Sequence, residues 1–95
     1  MSKLHNAILA CKMVRMKYDS KHDQGWRTVQ PYGFLYGNKH YLIAWQNSKK
    51  AMRHFDLNKI RELEIKDKYF TRDPKFSLQK FSEQAFEYIK KNRLM

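Results

Sequence analysis

In 95 residues there is one cysteine, and acidic side chains number nine against twenty basic ones. The lone thiol, Cys11, excludes an internal disulfide and any paired CxxC motif. That fits a reducing, cytoplasmic setting. Four histidines and the cysteine fall without ligand spacing, which argues against zinc. The chain has no glycine-rich phosphate loop and no nucleophile elbow. Asp19, Asp23 and Asp56 are too scattered to be read as paired carboxylates. An enzyme is therefore the weakest reading. The start, Met1-Ser2-Lys3-Leu4-His5-Asn6, lacks the apolar core of a signal peptide. No apolar run approaches the length of a membrane span. Internal repeats and low-complexity stretches are also missing.

What remains is basic and aromatic. The formal net charge is +11, a field that attracts polyanions. No run of Lys or Arg exceeds two residues, so the charge belongs to a folded face rather than a tail. A 42% hydrophobic and 15% aromatic content is enough for a core and unlike a disordered chain. The length fits one domain.

Leu4, Ile8 and Cys11 lie at i, i+4 and i+7, one face of a short helix with Ser2 as N-cap. Polarity then alternates. Val14, Met16 and Tyr18 share one face of a strand; Arg15, Lys17 and Asp19 share the other. Residues 19–25 form a loop by composition. Trp26 to Leu35 reads as a second extended stretch, in which Pro31 marks an edge or a bend and Gly33 permits curvature. Tyr36-Gly37-Asn38-Lys39 is a hairpin turn, with Gly-Asn as a two-residue signal. His40 to Gln46 is a third strand, Ala51 to Phe55 a fourth, and residues 61–66 a fifth. Asp56 to Lys59 tightens into a single helical turn. Past Asp73-Pro74, the spacing of Leu78, Phe81, Ala85 and Ile89 is helical, with Ser77 as N-cap. Five short, evenly spaced strands predict a small barrel.

The most informative stretches are Tyr41-Leu42-Ile43-Ala44-Trp45 and Arg53-His54-Phe55-Asp56-Leu57-Asn58-Lys59-Ile60. Joined by a short turn, they bring a phenol near Arg53, His54 and Lys59. That chemistry suits a polyanion such as a phosphate chain or nucleic acid. It does not suit bond breaking.

These segments, with Ile8, Tyr18, Ser20, the run from Arg27 to Phe34, His40 to Ala44 and the tail from Phe70 to Leu78, resemble the WYL domain in order and spacing over most of the chain. Two departures stand out. The triplet that names the family reads His40-Tyr41-Leu42, without its Trp. A late position usually held by Arg is Lys59, which keeps the charge but not the bidentate fork. The resemblance implies an Sm-like barrel. It also implies a ligand sensor of the kind found in bacterial transcription regulators and CRISPR-associated proteins, several of which bind single-stranded DNA, RNA or nucleotides. Those regulators carry a helix-turn-helix before this domain and an extension after it.

Each candidate residue has a plainer reading beside the functional one. Arg53 offers a fork for phosphate oxygens, or an ordinary surface ion pair. Alternation sends His54 to the opposite face, where a solvent-facing role is the simpler one. Tyr41 is either a rim-bonded core tyrosine or a stacking platform. Arg27 with Trp26 could clamp a base, or Trp26 could cap the barrel end. Ser20 donates to a phosphate or closes a turn. Lys59 is a point charge or a solvated lysine.

The sequence therefore predicts a mainly β fold: a small Sm-like five-stranded β-barrel with an N-terminal and a C-terminal helix. Residues 1–74 make the barrel domain and 75–95 a helical extension. The expected function is a regulatory domain sensing single-stranded nucleic acid or nucleotide through Ser20, Arg27, Tyr41, Arg53, His54 and Lys59. No cofactor, metal, membrane or catalysis is expected. The competing expectation is a protein-interaction or homodimerisation module. It would use the broad apolar stripe of Leu78, Phe81, Ala85, Phe86 and Ile89.

Overall fold

A computed structural model describes residues 2–20, 25–81 and 83. Helix α1 spans Ser2–Ala10 and buries Leu4, Ala7 and Ile8. Those three positions fall on one face at helical spacing, and that face meets the sheet. Cys11 ends the helix: it takes a left-handed φ of 56°, and its N–H donates to the Ile8 carbonyl at 3.2 Å.

Five strands follow: β1 (Lys12–Tyr18), β2 (Trp26–Tyr36), β3 (His40–Gln46), β4 (Ala51–Asp56) and β5 (Ile60–Tyr69). They form one antiparallel sheet in the order β4-β3-β2-β1-β5. The expected single turn after β4 is a 3-10 turn, Leu57–Lys59, capped by the Asp56 carboxylate, which accepts the Asn58 N–H at 2.9 Å. The alternation in β1 holds: Val14 and Met16 are fully buried, and Tyr18 packs against the same core. Val29, Leu42, Ala44 and Phe55 complete that core under α1.

One expectation is corrected. The barrel does not close, because β4 and β5 are the two edges of the ladder and do not pair with each other. The sheet nevertheless curls hard. β1 and β4 are three strand spacings apart, roughly 14 Å in a flat sheet. Yet the Asp56 N–H of β4 donates to the Tyr18 hydroxyl of β1 at 2.9 Å. A phenol and a 3-10 turn span the gap that a strand ladder would fill in a closed barrel.

Strand β2 is shared unequally. Its residues Trp26 to Val29 pair with β1, and Val29 to Tyr36 pair with β3, so both ladders meet at Val29. Pro31 lies beyond the β1 pairing and beside a register shift before Gly33. That is how a proline sits in a middle strand without breaking a ladder on both sides. Gly33 leaves room for the chain's exit segment: a Cβ there would stand 2.7 Å from Leu78 Cδ2. The β2–β3 loop differs from the expected two-residue turn. Tyr36 pairs with His40, leaving three residues between, and Gly37 does not use a positive φ.

After β5 the chain crosses the face of the sheet opposite α1. The Phe70 N–H donates to the Cys11 carbonyl at 2.9 Å, and Arg72 Nη2 donates to the Tyr32 carbonyl at 3.0 Å. The Tyr32 hydroxyl accepts the Asp73 N–H, and Phe76 meets the Tyr32 ring edge-on. Ser77 caps the helical turn that follows, its Oγ accepting the Lys80 N–H at 3.2 Å. The rest of the expected stripe (Ala85, Phe86 and Ile89) lies outside the described residues. Among the described residues, no helix is long and apolar enough to cross a membrane.

Candidate functional site

The curl brings the end of β1 against the end of β4, and the sequence-predicted residues divide about that seam: Arg27 and Arg53 on the core-facing side, Tyr41 and His54 on the opposite face, Ser20 and Lys59 at its end. The Asp19 N–H donates to the Lys59 carbonyl at 2.9 Å. This places Ser20 and Lys59 at one end of the seam. Arg53, His54 and Tyr41 approach from β4 and β3, and Arg27 from β2.

On the core-facing side, guanidinium and ring groups line up in a file. Arg27 is 8% exposed, and its Cζ lies 5.1 Å from the centroid of Tyr18. Tyr18 meets Phe55 edge-on at 5.2 Å. Arg53, exposed, closes the file with Cζ 6.0 Å from Phe55. Arg53 and Phe55 are two residues apart on one strand, so alternation puts them on the same face. Each cation–ring contact contributes about 0.5–2 kcal/mol, least where it is exposed.

Burial pushes the Tyr18 phenol above its ordinary pKa; the Asp56 N–H hydrogen bond opposes this, and the Asp56 carboxylate adds to it. The phenol therefore stays protonated at neutral pH. Asp56 is itself buried and carries the nearby Lys39 ammonium at 3.7 Å.

Tyr41 and His54 lie on the opposite face, ring edge to ring at 5.3 Å. Burial lowers the His54 pKa, and the Arg53 charge lowers it further. His54 is thus neutral near pH 7 and adds no cationic charge to the seam. Trp26 and Arg27 do not form the expected clamp, because neighbours on a strand point apart. Trp26 instead stacks with Arg15, whose Cζ lies 4.2 Å from its ring.

Tyr18 and Phe55, central to the file, were not among the predicted site residues. Their alternation with Met16 and Arg53 marked the face they share with the core. Their meeting depends on the curl, which brings residues 37 positions apart into contact and leaves no trace in local spacing. Among the described residues, no three His, Cys, Asp or Glu side chains gather as a metal site would require. Chemically, the seam offers the exposed cations Arg53 and Lys59 to phosphate oxygens, while Phe55 and Arg27 are buried within it.

Comparison with known proteins agrees with this fold. The model of the WYL domain matches residues 1–65. Among curated proteins, nothing matches the chain. Among solved structures, the chain is similar in fold to the proteasome accessory factor B/C (PafBC) of Arthrobacter aurescens, with a TM-score of 0.78 and 17% identity. That match covers 87% of this chain and 14% of that chain.

Proposed function

The chain belongs to the WYL domain family, and from that membership we propose that it is a ligand-sensing regulatory domain of the kind found in bacterial transcription regulators. Its ligand is a single-stranded nucleic acid or a nucleotide, held at the seam. No reaction is part of the proposal.

The observation that carries it is the file Arg27–Tyr18–Phe55–Arg53. Its inner members are buried or half-buried and hold the exposed Arg53 at the outer end, where a phosphate oxygen can reach the guanidinium. The net charge of +11 would draw such a strand in. Ser20 and Lys59 supply polar and cationic groups at the end of the seam, while Tyr41 offers its ring on the other face of the sheet.

Fluorescence anisotropy with labelled single-stranded DNA, single-stranded RNA and duplex, each at two salt concentrations, tests this. Binding of a single strand that falls steeply with salt is expected. Flat traces for all three would remove the proposal and leave the protein-interaction module in its place.

A further inference from the structure

Beside Tyr18 lies a cleft of about 330 Å³ that none of the six predicted residues lines. Its described walls are Lys17, Tyr18, Asp19 and Arg61. Two cations, Lys17 and Arg61, stand with one carboxylate there. The carboxylate is not idle: Asp19 Oδ2 accepts from Arg61 Nη2 at 2.7 Å, the shortest ion pair among the described residues. Lys17 is held more loosely, 3.9 Å from Glu62.

We propose that this cleft is a phosphate subsite, and that the Asp19 carboxylate occupies Arg61 as a built-in competitor which the ligand's phosphate displaces. The inference deepens the reading of the seam as a nucleotide-binding site and rests on it for the rest of the ligand. Three features favour it. The cleft adjoins the file, because Tyr18 belongs to both. A carboxylate and a phosphate present similar oxygen pairs to a guanidinium fork, so one replaces the other without rebuilding the site. The Arg61–Asp19 pair is solvent-accessible on both sides, at 58% and 41%, so little is lost when it opens.

Asp19 then sets affinity. Removing its charge frees Arg61 for the phosphate. Removing Arg61 takes away the fork, and Asp19 becomes irrelevant to it.

The test is a pairwise series in the full chain, read by anisotropy with a labelled single-stranded oligothymidylate. Asp19→Asn tightens binding by about two- to fivefold, the range set by an exposed ion pair. Arg61→Gln weakens it, and Asp19→Asn in the Arg61→Gln background gives no gain. Asp67→Asn, on an exposed part of β5, changes net charge equally and serves as the control. An equal gain from Asp67→Asn, or a gain from Asp19→Asn that survives Arg61→Gln, would mean a general charge effect and overturn the competitor. A titration with inorganic phosphate, followed by NMR at the Lys17, Asp19 and Arg61 signals, separates the two readings. Shifts there without oligonucleotide binding would sink the nucleic-acid reading and keep the cleft. Oligonucleotide binding that depends on Arg53 but leaves these signals unmoved by phosphate would do the reverse.

Discussion

The hydroxyl of Tyr18, at the end of the first strand, is bonded to the backbone N–H of Asp56, at the end of the fourth. The two strands share no ladder. That one bond satisfies a donor on the outer edge of β4 and holds the sheet in its curl, while the same ring carries Arg27 on one side and Phe55 on the other.

Tyr18→Phe keeps the ring and removes the acceptor. It leaves a part-buried N–H without its partner, which costs about 1–3 kcal/mol. Urea unfolding should show the midpoint falling with an unchanged slope. An unaltered midpoint would mean water replaces the phenol freely, and the bond would not be what holds the seam.

Arg53→Ala removes an exposed guanidinium from the end of the file without opening the core. Oligonucleotide affinity should fall by about tenfold, equivalent to one strong charge-assisted contact. Lys3→Ala, on the exposed side of α1, should leave affinity unchanged. Equal losses from both would reduce the site to a diffuse positive field.

His54 titrates below its ordinary value of 6.5 because it is buried and stands near Arg53. The unfolded chain therefore takes up the proton first as pH falls. Stability is full above about pH 6.5 and declines as pH drops from there towards the folded pKa. His54→Gln should flatten that part of the profile in thermal melts at pH 5 and pH 7.5. A slope unchanged in the variant would assign it to another group.

Gly33→Ala places a methyl against Leu78, at the far end of a flexible side chain. The side chain can swing aside, so the loss is modest, about 1 kcal/mol. The sharper readout is local. Protease should cut faster within residues 70–81, with the sheet intact, and Leu78→Ala combined with Gly33→Ala should cost less than the two changes summed.

Lys50 carries a left-handed φ of 49° in the β3–β4 turn, and its side chain is exposed. Lys50→Gly should stabilise by about 0.5–1 kcal/mol by relieving that conformation. A lower melting temperature would show that the lysine has a role its exposure hides.

Much of the framework was legible. Alternation at Val14, Met16 and Tyr18 located a strand and its buried face, and the i, i+4 pair Leu4 and Ile8 located the helix. The separation of Arg53 from His54 follows from strand geometry alone, and the structure agrees. Three features were not legible, each for a long-range reason. Closure of a barrel depends on whether β4 and β5 meet at full length, which no local pattern encodes. The Tyr18–Phe55 contact arises only once the sheet bends. Gly33 looked like a site of curvature, but what sets its tolerance is a side chain 45 positions later, Leu78.

Strand β2 makes contact with its two neighbours through different halves, and only Val29 belongs to both. The ladder thus narrows to one residue, with β1 and β5 on one side and β3 and β4 on the other, while a single core under the helix joins both halves. Amide exchange under native conditions should resolve two blocks of protection with separate opening energies. A disturbance in one half has little backbone through which to reach the other, so it travels through the shared core and the phenol bridge.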